Sequence, residues 1–267
     1  MSLKFLSLSS GSSGNCYYLG NDKEGLIIDA GISARKIRRI LEDNNIDKST
    51  ILGLCITHDH SDHIISAGYL GERWGIPIYA TKGTIDGMNR NFRMVEKIYT
   101  AHRFILKDVP FFVGGFEITA FEVLHDGSDN VGYLVRYDGL TFAFATDLGC
   151  LTPTVKKYLL QSDCMVIESN YDINMLRFGR YAEYLKKRIQ SDTGHLCNDI
   201  TASFLAEGFT NRLLKIFLCN ISAENNTPEL AFDTVSKALS LRGINVGEDV
   251  DVVPLARTKP SPMYIFD

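Results

Sequence analysis

A chain of 267 residues can bury a core without staples, and a composition of 45% apolar and 22% charged residues is that of an ordinary globular protein and argues against disorder. The net charge of −4 excludes a protein that coats nucleic acid through a bulk positive field, so contact with a polyanion has to be local. The six cysteines (Cys16, Cys55, Cys150, Cys164, Cys197 and Cys219) show no CxxC spacing and read as reduced thiols. With no signal-like segment and no run approaching about 18 apolar residues, a cytoplasmic location is expected.

In chain order, "LKFLSLS" and "NCYYLG" predict strands joined by a Gly/Ser turn at Gly11 to Gly14, and "GLIIDAG" predicts a short buried strand. Ser33 is placed to cap a helix over "ARKIRRILEDNN", where Ile37, Ile40 and Leu41 share one face. "ILGLCIT" is the near-continuous apolar run of a strand covered on both sides. A helix over "HIISAGYLGERWG" and a strand over "IPIYAT" follow, then two hairpins: "VPFFVGGFEITAFEV", turning at Gly114 and Gly115, and "VGYLVRYDGLTFAFATD", turning at Asp138 and Gly139. "CMVIES" predicts a further buried strand. Helices are expected around Asp172 to Gln190, Asn198 to Glu207 and Pro228 to Leu241, with the strand "LLKIFLCN" between the last two. This order favours an α/β fold of four layers, two mixed sheets face to face with helices outside, and one domain over residues 1–267.

Between the "ILGLCIT" strand and the next helix lies "THDHSDH", which holds His58, His60 and His63, three of the six histidines, with Asp59 and Asp62 among them. In layered α/β folds such a strand end is where sites form. Histidines at i and i+2 can point both rings at one ion when the backbone turns, and the Asp-His pair that follows can serve a second. The mixture of imidazole and carboxylate suits zinc, manganese or iron.

"THDHSDH" resembles the signature of the metallo-β-lactamase superfamily, whose members share an αββα sandwich. Further motifs in the family's order extend the resemblance over nearly the whole chain: "VLHDG" with His125 and "FATDLG" with Asp147. The resemblance implies two divalent metal ions, His58, His60 and His125 holding one, Asp62 and His63 the other, with Asp147 bridging both. One departure stands out. Where the superfamily normally supplies a last histidine to the second metal, the segment "FLCNISAENN" has Asn220, and an amide oxygen is a poorer zinc ligand than imidazole.

"VIESNYD" with Glu168 and "SDTGHLCND" with His195 resemble the Glu/His pair of RNase Z, in which the histidine protonates the leaving oxygen and the glutamate orients it. Together with "GSSGN", "MLRFGRY" and "SAENNTPELA", they make the chain most similar to the YycJ/WalJ (VicX) subgroup of DNA exonucleases, although Tyr171 stands where that pattern has a histidine. The implied reaction is phosphodiester hydrolysis: Asp62 orients the attacking water, and His195, held by Glu168, acts as the acid. Asn15, Arg177 and Arg180 are the expected substrate contacts, with Phe178 and Tyr181 available for stacking. The interval after Asp147 is too short for a β-CASP domain, and no long transfer-RNA arm is evident, so DNA is favoured over RNA. Two alternatives keep the fold: a thioester or lactone hydrolase resembling glyoxalase II, and a regulatory protein whose second metal site Asn220 has weakened.

Overall fold

The computed structural model describes residues 2–267. The chain divides into two compact units. The first runs to Ala120 and includes Gly127–Val131 and Arg257–Asp267; the second comprises Phe121–Asp126 and Gly132–Ala256.

Along the first unit come β1 (Leu3–Ser9), β2 (Cys16–Gly20), β3 (Gly25–Ile28), α1 (Ala34–Asp43), β4 (Ile51–Cys55), α2 (Ser61–Ile64), α3 (Ala67–Trp74), β5 (Ile78–Ala80), α4 (Lys82–Arg90), β6 (His102–Phe104), β7 (Phe111–Val113) and β8, which ends at Glu122 (Phe116–Glu122). Then follow β9 (Val131–Tyr137), β10 (Leu140–Ala145), α5 (Pro153–Leu159), β11 (Cys164–Glu168), α6 (Ile173–Phe178), α7 (Glu183–Ile189), α8 (Asn198–Glu207), β12 (Lys215–Cys219), α9 (Pro228–Ser240) and β13 (Asp251–Pro254). The last strand, β14 (Tyr264–Phe266), belongs to the first unit and pairs antiparallel with β1. The strands form two seven-stranded sheets, ordered β14-β1-β2-β3-β4-β5-β6 and β13-β12-β11-β10-β9-β8-β7.

β4 lies between parallel partners β3 and β5, which explains its continuous apolar run: both of its faces are covered, as in parallel sheets generally. The apolar side of α1, with Ile37, Ile40 and Leu41, joins Leu54, Ile56 and Leu70 in the first unit's core, and the Ser33 side chain accepts from Lys36 N as the cap. In the second unit β10, β11 and β12 are parallel neighbours, and their apolar residues pack with α8 and α9 through Phe204, Leu205, Ala231 and Val235. The second expected hairpin turns with positive φ at Asp138 and Gly139, as a two-residue type I′ loop requires.

Two expected helices are each divided in two. The "HIISAGYLGERWG" helix is α2 plus α3. The Asp172–Gln190 helix is α6 plus α7, because the chain turns extended at Gly179, where a Cβ would come 2.5 Å from the Met175 carbonyl oxygen. α4, α5, β6, β13 and β14 were not anticipated from the sequence.

Candidate metal centre

In the first unit, the parallel strands β3 and β4 end side by side and deliver Asp29 and the Thr57–His63 loop to the same place. The Asp29 carboxyl group is fully buried. It accepts Thr57 N at 2.8 Å and the Thr57 hydroxyl at 2.9 Å, and its Oδ2 lies 2.7 Å from His63 Nδ1. Thr57 Oγ1 in turn lies 2.9 Å from His58 Nδ1. Since that hydroxyl donates to Asp29, it accepts from His58, so both imidazoles carry their proton on Nδ1 and turn the Nε2 lone pair outward. A metal-binding histidine needs that tautomer, and a carboxyl group in this place is the usual means of fixing it. The rings of His58 and His60 are 4.7 Å apart between centroids, and those of His58 and His63 4.1 Å. Asp62 Oδ2 stands 3.6 Å from His63 Nε2.

Glycine makes this closeness possible. A Cβ on Gly31 would sit 1.6 Å from the Asp62 carbonyl oxygen, so no side chain fits where the β3 exit passes beneath the histidine loop. Backbone bonds from Ala30 N to His63 O and from Asn15 N to Asp62 O, both 2.7 Å, tie the segments together. Asn15, expected on a substrate-facing turn, is instead fully buried: its Nδ2 lies 3.0 Å from His63 Nε2 and its Oδ1 accepts from the Tyr17 hydroxyl. An amide N–H only donates, so Asn15 holds the Nε2 lone pair at the ligating edge of the His63 ring, opposite Asp29. Asp59, between the first two histidines, accepts Ser128 N at 2.9 Å and the Ser128 hydroxyl at 2.6 Å, which fixes the loop.

In the second unit, three neighbouring parallel strands end in register. Ala145 of β10 is level with Ile167 of β11 and Leu218 of β12, so Asp147, Glu168 and Asn220 emerge together at the carboxyl ends. His125 Nδ1 lies 2.9 Å from the Gly194 carbonyl oxygen; a carbonyl only accepts, so this ring too has its lone pair on Nε2, which points to within 3.8 Å of Asp147 Oδ1. His125, Asp147 and His195 each offer a ligand atom, all within 4.8 Å of one another. Arg188 holds the neighbouring Asp126 at 2.6 Å.

Glu168 is fully buried, with Oε1 2.8 Å from His195 Nδ1 and Oε2 accepting Leu148 N and Leu196 N. Burial pushes the carboxyl group up, against the pull of His195. Burial acts to lower His195, but Glu168 and Asp147 outweigh it and raise the imidazole from 6.5 to about 9. Asn220 takes the left-handed conformation at φ 51° and aims its amide nitrogen at Asp147 Oδ1 and Glu168 Oε1, 2.8 Å from each. Facing two carboxyl oxygens, that end of the amide is the donor end, and it cannot ligate a cation.

Arg177 and Arg180 are exposed on α6 and the turn after it. The Arg177 guanidinium stacks 5.5 Å over the exposed Phe178 ring, and Arg180 lines a hollow of about 520 Å³ with Phe178 and Tyr181. Lys186 donates to the Arg177 carbonyl oxygen and to Glu183. Tyr171 is buried, bridged to Cys197. Sequence reasoning passed over Asp29; its signal was a carboxylate closing an apolar strand one position short of a glycine turn.

The donor set fits a divalent cation: buried imidazoles locked in the ligating tautomer in both units, with carboxylates beside them. Residues 25–207 match the beta-lactamase superfamily domain. The chain is 35% identical to exodeoxyribonuclease YycJ of Bacillus anthracis over 94% of its length and 95% of that protein's. It is also 35% identical to exodeoxyribonuclease WalJ of Streptococcus pneumoniae, over 97% of each. Among solved structures, the metallo-β-lactamase fold protein YhfI from Bacillus subtilis superposes with a TM-score of 0.72 over 99% of both chains at 14% identity, which shows the fold expected from the sequence, the four-layer αββα sandwich. The chain therefore belongs to the metallo-β-lactamase superfamily of metal-dependent hydrolases, among the relatives of YycJ and WalJ.

Proposed function

We propose that this chain is a DNA exonuclease that hydrolyses phosphodiesters with two divalent metal ions, zinc or else manganese or iron, and that residues 1–267 work as one domain in the cytoplasm. The observation that carries this reading is the His195–Glu168 pair, 2.8 Å apart beside Asp147. A thioester releases a weakly basic thiolate without such an acid, whereas a sugar oxygen leaving phosphorus needs a proton. The near-full-length likeness to proteins named as exodeoxyribonucleases supports the substrate class. No helix among the described residues is long and apolar enough to cross a membrane, and no disulfide joins the cysteines, in keeping with a reducing compartment.

Following the family's pattern, His58, His60, Asp62 and His63 of the first unit and His125 and Asp147 of the second hold the ions. When bound, these lower the pKa of water towards neutrality and offset charge on the phosphoryl oxygens. The chain's own residues do the rest. Asp62 orients the attacking water, and His195, fixed by Glu168, gives its proton to the departing oxygen. Asp29 holds the rings of His58 and His63 in place, and Arg177 and Arg180 meet the phosphate backbone.

The test is cleavage of end-labelled single- and double-stranded DNA, and of RNA, by protein loaded with zinc, manganese or magnesium. Stepwise shortening of DNA that disappears in Asp62→Ala and His60→Ala is expected. Intact DNA under every metal would defeat the proposal, and preferential loss of RNA would redirect it.

A further inference from the structure

Directly after α4, a loop borders the histidine loop within the first unit and has no part in the chemistry above. α4 rests so closely on that loop that a Cβ on Gly87 would meet Asp59 Oδ2 at 1.9 Å. Asn91 then donates to the Asp59 carbonyl oxygen at 3.0 Å and accepts Arg93 N at 3.0 Å. Asn89 pairs with both backbone groups of Ile98 at 2.9 Å, and Lys97 donates to the Asn91 carbonyl oxygen at 2.7 Å. At the far end Glu72 accepts Tyr99 N, Thr100 N and Ala101 N within 3.0 Å, and these bonds, Thr100 N foremost, bring its carboxyl group down to about 2. Met94 and Ile98 are buried beneath.

A segment fastened at so many points has been given one shape, and that shape lifts large apolar side chains into water. Phe92 is 85% exposed and Val95 88%. Such exposure on a well-held loop marks a contact surface. Two or three side chains fall far short of the roughly 800 Å² per partner that a stable protein interface buries, so a second copy of the chain is a poor occupant. The charges point elsewhere. Residues 90–97, "RNFRMVEK", carry three cations against Glu96 alone, in a chain whose net charge is −4, and Glu96 is paired with Arg73. The Arg93 guanidinium lies 6.0 Å from the Phe92 ring centre. A flat ring beside arginines, next to a hydrolytic loop, matches a strand with exposed base faces and phosphates; a duplex hides those faces.

We propose that residues 91–99 form a platform for single-stranded nucleic acid, on which Phe92 stacks a base while Arg90 and Arg93 hold the adjoining phosphates and lead the strand end to the histidine loop. This inference rests on the nuclease reading and extends it to the single-stranded form of the substrate.

The experiment is fluorescence anisotropy of the metal-loaded protein with a labelled oligothymidylate protected by phosphorothioate linkages, with DNA cleavage by the same preparation followed in parallel. Phe92→Ala is expected to weaken binding about tenfold, the loss of one stacked base, with Phe92→Trp restoring it. Arg93→Ala is expected to flatten the dependence of log Kd on log salt by about 0.7, one phosphate contact on a single strand. Metal content and thermal unfolding of each variant report its folding. If the wild type cleaves DNA while Phe92→Ala binds the oligonucleotide undiminished, the platform is refuted and the nuclease reading stands. If the wild type neither cleaves nor binds, both fall. A change in sedimentation on Phe92→Ala or Val95→Ser, with oligonucleotide binding intact, would mean a protein partner and overturn the proposal.

Discussion

The amide nitrogen of Asn220 donates to Glu168 Oε1 at 2.8 Å, and the same nitrogen donates to Asp147 Oδ1 at 2.8 Å. Two buried carboxyl groups thus share one neutral donor at the position where the superfamily normally has a histidine. The donor lessens their repulsion without adding charge, and it fixes which oxygen of Glu168 faces His195.

Removing that donor exposes the repulsion. Asn220→Ala leaves two buried oxygens short of a hydrogen bond and is expected to destabilise the metal-free protein by about 1–3 kcal/mol, read by urea unfolding. Asn220→Asp keeps the shape but places a third carboxylate at the strand ends. Its metal-free melting temperature is expected to fall further than that of Asn220→Ala, and saturating zinc or manganese to raise it more than in the wild type. Equal metal-induced shifts in the two proteins would show that Asn220 does not border the ions.

The acid role of His195 depends on the leaving group. His195→Ala is expected to slow DNA cleavage about 100- to 10,000-fold, the usual worth of a positioned proton donor. A nitrophenolate leaves without a proton, so hydrolysis of bis(p-nitrophenyl) phosphate is expected to suffer far less. Equal losses on both substrates would assign His195 to binding, and no loss on either would remove His195 from the reaction.

The pH dependence has a definite sign. Burial alone would lower His195, but Glu168 and Asp147 raise it from 6.5 to about 9. A group whose pKa rises on folding contributes stability that is fully present below its unfolded value and is lost as pH rises through the folded one. Metal-free protein is therefore expected to melt at progressively lower temperature between pH 6.5 and about 9, and its His195 ring proton to titrate near the upper end by NMR. Glu168→Gln is expected to flatten the melting profile and return the titration towards 6.5.

Much of this was readable beforehand, for local reasons. β4 announced itself as an unbroken apolar run, and the histidines crowd at its end because a parallel sheet exposes its carboxyl ends. Asp147 and His125 are less distinctive taken singly and became legible only through their order along the chain. Asp29 was missed because its partners are 28 and 34 residues away, brought beside it by the pairing of β3 with β4. α4 was passed over because its segment "KGTIDGMNR" carries two glycines, poor helix formers that here serve close packing. The orientation of the Asn220 amide lies beyond any sequence pattern, since it follows from which strand ends are neighbours.

Asp29 supplies the sharpest test of the ligand geometry. Its carboxyl group accepts three hydrogen bonds, from Thr57 N, the Thr57 hydroxyl and His63 Nδ1, and thereby sets the tautomers of His58 and His63. Asn is nearly the same size but presents an NH2 group on one side. Whichever way the amide turns, its NH2 group meets an N–H donor, that of His63 Nδ1 or that of Thr57, so one of the bonds aligning the rings is lost. Asp29→Asn is expected to weaken metal binding about 10- to 100-fold, the range found for partners that orient ligands, as measured by competition with a chromogenic chelator. His195 stands in the other unit, and its titration in the metal-free variant is expected to stay near 9. Undiminished affinity in Asp29→Asn would mean that the histidines are aligned by the loop backbone alone.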